Sequence, residues 1–315
     1  MRLLFRFSKE HESLPDAELE AVFEGERLKH EKVLAQDRFR LFEVQTEENS
    51  FVRRLALTLE ADDILGVSKK VGLLAGTIFD HISDCDTFRV VSESKKVESE
   101  LGGLLHNMGL KVDLKRPDVR VACHQIAGEY YGGVMFSNWR DFEGRKPQLR
   151  PYFHPTSLHP KLARVLVNLA RVREGDTMLD PFCGTGGILI EAGLIGLNVI
   201  GWDIRKELVD GTKMNLKHYG LRGRVEQEDA LRGKADADAV VTDMPYGRSS
   251  YSSKQLKELY TCFLENAKNL VTDGGCIVLM SPEDYELPLA GHTVLESYSL
   301  RVHKSLTRRI TVLRH

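Results

Sequence analysis

The chain has 315 residues, a formal net charge of −2, and 42% hydrophobic and 29% charged residues. This composition is typical of a soluble globular protein of two or three domains. No apolar run approaches the length needed to span a bilayer, and the apolar stretch in residues 1–6 is too short for a signal peptide, so we expect a cytoplasmic protein without membrane attachment. The five cysteines are scattered and never spaced as Cys-x-x-Cys, which disfavours a disulfide framework and a structural zinc site, and we expect no bound metal.

Charge is spread unevenly along the chain. The first fifty residues carry twelve acidic and eight basic residues, whereas the last fifteen carry five basic residues and no acidic one. This basic tail is consistent with a solvated final strand or with a local positive surface that attracts a polyanion. Its basic residues are Arg301, Lys304, Arg308, Arg309 and Arg314.

The N-terminal half mixes strand and helix signals. Residues 51–59 predict a strand and residues 97–107 predict a helix. Residues 121–126 and 130–136 alternate like paired strands around a short turn. These patterns indicate a small α+β module.

We divide the chain into four parts. A separate N-terminal segment covers residues 1–50, and the α+β module covers residues 51–138. A charged stretch rich in proline and glycine predicts a linker over residues 139–157. The remaining residues, 158–315, form the second domain.

Strand and helix signals alternate through the C-terminal half. The predicted strands are 176–180, 197–202, 224–228, 239–242 and 276–280, and the predicted helices are 188–194, 206–219 and 254–270. Residues 292–299 and 309–313 predict a terminal hairpin. Repeated βα units predict an α/β fold with a mostly parallel, Rossmann-like sheet and helices on both faces. Ligands should then bind beyond the carboxyl ends of the strands.

A glycine-rich turn follows the first of these strands, in the segment Asp-Pro-Phe-Cys-Gly-Thr-Gly-Gly that starts at Asp180. Gly184 and Gly186 let the backbone approach a ligand closely, and the following helix offers free N–H groups to an anionic group. The turn is not a P-loop, because no Gly-Lys-Ser/Thr follows, and Leu189 replaces the third glycine of the dinucleotide pattern.

Two acidic residues follow the next two strands. Asp203 stands about 20 residues beyond the glycine turn, where an acid can hold the hydroxyls of a ribose. Asp229 follows the third strand and is placed to accept a hydrogen bond from an adenine amino group. Together the two acids predict an adenosine-containing cofactor.

The segment Asp243-Met244-Pro245-Tyr246 directly follows the fourth strand. An exocyclic amine on a base is a poor nucleophile, because its lone pair is delocalised into the ring. A carboxylate and a backbone carbonyl that accept its N–H groups would draw the nitrogen toward tetrahedral geometry. Proline stiffens the turn, and an aromatic ring can stack an extruded base. The alternative is a helix cap with a turn proline.

In this order, the motifs resemble those of class I amino-methyltransferases, in which a D/N-P-P-Y/F segment grips the target amine. Residues 151–160 look like the cofactor-covering motif of that subgroup, and residues 51–138 look like a THUMP domain, an RNA-binding module, with 112–120 matching its late signature. The whole layout is similar to archaeal tRNA guanosine N2-methyltransferases, closest to those that modify guanosine 10. Met244 departs from the usual proline, although its backbone carbonyl remains.

The resemblance implies S-adenosylmethionine as the cofactor and tRNA as the partner. The implied cofactor-binding residues are Ser157, Asp180, Phe182, Cys183, Gly184, Gly186, Asp203, Ile204, Asp229, Ala230 and Asp243. The implied catalytic residues are Asp243, Met244, Pro245 and Tyr246. The implied RNA-binding residues are Lys95, Lys96, Lys111, Lys115, Arg116 and Arg120, which would contact phosphates.

The expected reaction is methylation of guanosine N2 in tRNA at position 10, once or twice, by in-line displacement at the sulfonium methyl group. Three alternatives stay open at this point: a sister enzyme for another tRNA position or ribosomal RNA, a DNA amino-methyltransferase, and a non-catalytic RNA-binding protein. A small activating protein subunit is a further open expectation.

Overall fold

The computed structural model describes residues 1–136, 141–155, 157–246, 253–303 and 306–315. The chain forms two compact units that interleave along the sequence. The first unit takes residues 1–10 and 28–52 and the described residues between 58 and 139. The second takes residues 11–27, 53–57 and the described residues from 141 onward.

The helices are α1 (Leu14–Gly25), α2 (Leu74–Ile82), α3 (Lys95–Asn107), α4 (Pro160–Leu169), α5 (Gly187–Gly193), α6 (Lys206–His218) and α7 (Ser253–Ala267). The strands of the first unit are β1 (Arg2–Phe7), β2 (His30–Gln36), β3 (Phe39–Val44), β4 (Thr58–Ser68), β5 (Thr87–Val91), β6 (Lys111–Val112), β7 (Val119–Ile126) and β8 (Glu129–Met135). The strands of the second unit are β9 (Thr177–Asp180), β10 (Asn198–Asp203), β11 (Arg224–Gln227), β12 (Ala237–Asp243), β13 (Val271–Pro282), β14 (Thr293–His303) and β15 (Leu306–Arg314).

The first unit is built on one eight-stranded sheet in the order β2-β3-β1-β4-β8-β7-β5-β6. Helices α2 and α3 bury Ile78 and Leu101 in a core with Phe88 of β5 and Val121 of β7. The paired strands predicted around residues 127–129 are present as β7 and β8, joined in antiparallel register. Because β1, β2 and β3 belong to this same sheet, residues 1–10 and 28–50 lie in one unit with the following module, whereas residues 11–27 belong to the second unit.

A buried charged cluster lies inside the first unit. The imidazole of His124 hydrogen-bonds Asp62 through Nε2 at 2.9 Å and Glu93 through Nδ1 at 2.9 Å. Burial lowers the pKa of His124, but the bonds to the two carboxylates outweigh burial and raise it to about 10. The ring is therefore an imidazolium at neutral pH, donating to both carboxylates.

The second unit contains a seven-stranded sheet in the order β11-β10-β9-β12-β13-β15-β14. Strands β9 to β13 are parallel, and β15 runs antiparallel between β13 and β14. Neighbouring residues of one strand enter different cores: Met178 and Val241 pack with α4 and α5, whereas Leu179 and Val240 pack with α7. This period of two confirms the prediction of a mostly parallel sheet with helices on both faces.

Two early segments of the chain join the second unit. Glu18 of α1 is fully buried and accepts hydrogen bonds from the backbone N–H groups of Ala56 and Leu57 at 2.8 Å and from Asn168 of α4 at 2.7 Å. The strand predicted over residues 51–59 is therefore wrong for most of its length. Residues Ser50–Arg54 form a 3-10 turn, the amides of Ala56 and Leu57 bond to a carboxylate, and β4 begins at Thr58.

Among the described residues, no helix has the length and apolar composition needed to cross a membrane. All five cysteines are free. The predicted linker lies partly outside the described residues, at 139–140 and 156, and its described part contains two short 3-10 turns, Glu143–Arg145 and Pro147–Leu149.

Replacing His124 with Gln should destabilise the first unit by about 3 kcal/mol near pH 6, because Asp62 would lose the cation that offsets the cost of burying its carboxylate. The pKa of His124 is raised above its unfolded value, so its stabilisation is complete below about pH 6.5 and is lost as pH rises toward 10. The free energies of unfolding of the wild type and of His124→Gln, measured in urea between pH 6 and 10, should therefore converge as pH rises. His81→Gln, at an exposed histidine, serves as the control. A difference in the free energy of unfolding between the wild type and His124→Gln that does not change with pH would contradict this account.

Candidate active site

A cavity of about 700 Å³ opens at the carboxyl ends of β9, β10 and β12. This is the edge where ligands bind in parallel α/β sheets. The predicted residues that line it are Ser157, Asp180, Phe182, Cys183, Gly184, Asp203, Ile204, Asp229, Asp243, Met244, Pro245 and Tyr246. The structure therefore brings together most of the cofactor-binding and catalytic residues predicted from sequence.

The glycine turn has a backbone geometry that requires its glycines. Gly184 and Gly186 have φ values of +54° and +80°, in the left-handed region that favours glycine. A Cβ on Gly186 would lie 2.8 Å from Cγ2 of Thr212. The Thr212 hydroxyl in turn donates to the Gly184 carbonyl at 2.8 Å. Gly186 thus shapes the turn from behind, and it is not part of the cavity lining.

Asp180 ends β9 and is almost fully buried. Its Oδ1 accepts hydrogen bonds from the Thr242 hydroxyl at 2.8 Å and from the Phe182 backbone N–H at 3.2 Å. Burial raises the pKa of Asp180 to about 7, and the negative charges of Asp243 and Asp203 act in the same direction. A cation entering the cavity would favour its ionised form.

The two predicted adenosine-binding acids have different surroundings. Asp203 accepts backbone N–H groups from Gly184 at 3.2 Å and Arg205 at 2.9 Å, so it ties the glycine turn to the end of β10. Asp229 is half-exposed and accepts the N–H of Leu231 at 3.0 Å. Ala230 is buried in the core beside these residues and does not line the cavity.

Asp243 ends β12 and forms an ion pair with Arg308 of β15. Nη1 of Arg308 donates to Oδ2 of Asp243 at 3.1 Å, and Nη2 donates to Oδ1. Burial raises the pKa of Asp243, and the Arg308 guanidinium opposes this shift. Arg308 is only 2% exposed, so the interpretation of the basic tail as a solvated strand is wrong at this position.

Aromatic rings surround the end of β12. The guanidinium of Arg308 lies over the ring of Tyr246, with Cζ 3.7 Å from the ring centroid. The buried Tyr260 of α7 donates its hydroxyl to the carbonyl of Pro245 at 3.1 Å. The N–H of Met244 donates to the carbonyl of Met280 at 3.0 Å, which continues the β12–β13 pairing into the turn. Hydrogen bonds from α7 and to β13 therefore fix the backbone of the turn at Pro245 and Met244.

Sequence reasoning missed Arg308, Thr212 and Tyr260. A signal existed for Arg308, because it shares strand parity with the buried Ile310 and Val312 and so faces inward. The pairing of Arg308 with Asp243 could not be predicted, because Asp243 lies 65 residues earlier in the chain.

The predicted RNA-binding residues all lie in the first unit. They are exposed side chains on α3, on β6 and the loop after it, and on β7. Strand β5 lies between β6 and β7, so it separates Lys111 from Arg120. The backbone N–H groups of Lys115 and Arg116 both donate to Asp113, which fixes the loop that carries them.

Gly186→Ala should destabilise the second unit by about 2–4 kcal/mol, the sum of left-handed backbone strain and the clash with Thr212. Gly274→Ala is the matched control, because Gly274 has φ +77° but open space around its Cβ position. It should cost only about 1–2 kcal/mol. The measurement is the free energy of unfolding in urea. Equal losses in both variants would mean that Thr212 yields without cost.

The comparisons with known proteins agree with this geometry. The family pattern described as an RMKL-like methyltransferase domain matches residues 147–310, and one described as a DNA methylase matches residues 76–214. The crystal structure of TrmN from Thermus thermophilus superposes with a TM-score of 0.58, at 24% identity, over 100% of this chain and 99% of that one. The predicted class I methyltransferase fold is thereby confirmed.

Two curated relatives share one description. The tRNA (guanine(10)-N2)-dimethyltransferase of Methanothermobacter thermautotrophicus is 34% identical over 99% of both chains. The protein so described in Methanocaldococcus jannaschii is 38% identical over 72% of this chain and 67% of its own length. The resemblance found in the sequence is confirmed, and this chain belongs to the tRNA (guanine(10)-N2)-dimethyltransferase family.

Proposed function

We propose that the protein uses S-adenosylmethionine to methylate the N2 amino group of guanosine 10 in tRNA, and that it adds up to two methyl groups. The observation that carries the proposal is the position of Asp243. Its carboxylate ends β12 in the same cavity as the glycine turn, and Tyr246 lies beside it. A carboxylate next to a stackable ring suits a flat base that presents an amine.

The cavity fits S-adenosylmethionine by its size and its charge. Its volume of about 700 Å³ lies in the usual range for ligand pockets. Asp180, Asp203 and Asp243 line it, and carboxylates favour a cationic sulfonium ligand. The cofactor, when bound, supplies an electrophilic methyl group.

Each part of the cofactor has a proposed partner among the cavity residues. Asp203 would accept from the ribose hydroxyls and Asp229 from the adenine amine, while Asp180 and Gly184 would hold the methionine part. Ile204 is 63% exposed and lines the cavity, so it offers an apolar face. The rest of the cavity wall is formed by Ser157, Phe182 and Cys183. The Ser157 hydroxyl shares a hydrogen bond of 2.8 Å with the Thr185 hydroxyl. Ala230 and Gly186 would act through the backbone only.

Asp243 would accept an N–H of the guanine amine and so raise the electron density on N2. The Met244 carbonyl would serve as the second acceptor, and Pro245 would keep the turn rigid. Tyr246 would stack the extruded base. Positioning of this kind is enough for a single displacement without a covalent enzyme intermediate. N2 would bond to the methyl carbon as the carbon–sulfur bond breaks, the thioether would leave, and Asp243 would take the proton that N2 loses.

The first unit would dock the tRNA as a THUMP-like module. Its exposed lysines and arginines on α3, β6 and β7 would contact phosphates, which orient the substrate without reading its sequence. An activating protein subunit and a cytoplasmic location remain predictions.

The reaction is tested by methyl transfer from labelled S-adenosylmethionine to an unmodified tRNA transcript, with the product nucleoside identified and mapped. We expect N2-methylguanosine and N2,N2-dimethylguanosine at position 10. A transcript with adenosine at position 10 is the matched control and should accept no label. Label at another guanosine would replace the assignment by a sister activity, and transfer to DNA alone would overturn it.

Asp243→Ala should lower turnover by about 100-fold or more, because the amine loses its main acceptor. Affinity for S-adenosylmethionine, measured by calorimetry, should change only a few-fold. Asp284→Ala, which removes an exposed carboxylate outside the cavity, should leave both values unchanged. Turnover of the Asp243 variant close to that of the wild type would contradict the proposed role.

A further inference from the structure

We propose that Arg308 is a positioning residue for this reaction: it fixes the Asp243 carboxylate toward the base and leaves one face of Tyr246 open for stacking. The inference rests on the proposed function of the Asp243 site. It goes further by assigning a task to a strand that the amine-gripping motif does not include.

The Arg308 guanidinium is held at both ends of its fork. It donates to both carboxylate oxygens of Asp243, and Nη2 lies 3.3 Å from the Met280 carbonyl. The Arg308 side chain is 2% exposed, whereas that of Asp243 is 18% exposed and lines the cavity. The cation therefore lies behind the carboxylate and leaves the cavity side of Asp243 accessible.

Pairing with Arg308 does not use up the capacity of Asp243 to accept hydrogen bonds. An ionised carboxylate has about four lone-pair sites, and the bidentate pair uses two of them. The remaining sites are available to an amine in the cavity. A bidentate fork also removes the rotation that a carboxylate held by one bond would retain, so the amine meets an acceptor of fixed direction.

The guanidinium also covers one face of the Tyr246 ring. With Cζ 3.7 Å from the ring centroid, no base can stack on that face. A base that stacks on Tyr246 must use the opposite face. Arg308 thus defines both the direction of the acceptor and the plane in which the base lies.

The charges around Asp243 explain why a cation is needed there. Asp180 repels it, Tyr246 and Tyr260 flank it, and Arg308 is the positive group that opposes the effect of burial on the pKa of Asp243. Without the guanidinium, this pKa would rise further. A protonated Asp243 would have fewer lone pairs to offer an amine.

Arg308→Gln tests the inference, with Arg309→Gln as the matched control. Arg309 is the next residue of β15 and pairs with Glu283 at 3.2 Å, half-exposed and outside the cavity. Turnover and KM for tRNA are measured from pH 5.5 to 9 for both variants and the wild type. Binding of S-adenosylmethionine serves as the check that the protein is folded.

We expect Arg308→Gln to lower kcat about 100-fold at neutral pH with little change in KM for tRNA, since a small misplacement of the reacting groups has an effect of this size. The acidic limb of the kcat profile should move to higher pH. Arg309→Gln should match the wild type. An Arg308→Gln enzyme with normal kcat, or with reduced kcat and an unmoved acidic limb, would overturn the inference.

Two further variants keep the test decisive. Arg308→Lys retains the charge but loses the bidentate fork, so its kcat should be intermediate and its acidic limb should stay close to that of the wild type. It decides the question if Arg308→Gln does not fold, because wild-type kcat in the Lys variant would exclude a role for the fork. In an Asp243→Asn background, Arg308→Gln should lower kcat by much less than it does in the wild type, because only its effect on Tyr246 remains, whereas a loss of full size would show that Arg308 does not act through Asp243.

The result can be separated from failure of the proposed function. If the wild type makes no N2-methylguanosine in tRNA, the proposed function fails. The effect of Arg308 can then still be measured as the pKa of the Asp243 carboxyl, by carbon-13 NMR with Asp243→Asn to assign the signal. Arg308→Gln should raise this pKa, and an unchanged pKa would overturn the inference.

Discussion

Three aspartates end neighbouring parallel strands and meet at one cavity, and this places three like charges in a largely buried space. Asp180, Asp203 and Asp243 occupy the last positions of β9, β10 and β12. Carboxylates that are buried together remain ionised only if donors compensate them. The arrangement of the site depends on which donors compensate each of these three carboxylates.

Each aspartate accepts hydrogen bonds from a different set of donors. A hydroxyl and a backbone N–H reach Asp180, two backbone N–H groups reach Asp203, and a guanidinium reaches Asp243. Burial leaves Asp180 with a pKa near 7, so that it responds to a cation in the cavity. Burial also raises the pKa of Asp243, and the guanidinium opposes that shift while it holds both carboxylate oxygens. The three aspartates at this edge of the sheet thus differ in the donors that compensate their charge.

Local patterns predicted what depends on neighbours in sequence. The alternating strands and helices after residue 170, the glycine turn at the end of β9 and the turn at Asp243 all depend on short segments, and the structure places these elements where they were predicted. The missed features depend on distant partners. Ala56 bonds to a carboxylate 38 residues away, and Asp243 pairs with a guanidinium 65 residues away. No periodicity within a short window encodes such contacts.

The interleaving of the two units has a consequence for the order in which the chain folds during synthesis. All strands of the first unit are available once residue 135 has been made. Helix α1, by contrast, packs on α4, and Glu18 bonds to Asn168, so α1 waits for more than a hundred further residues. The first unit can fold while α1, in the segment between β1 and β2, still lacks its packing partner. A ribosome that pauses before α4 would therefore expose the apolar face of α1, and a chain that starts at residue 140 would lack it altogether.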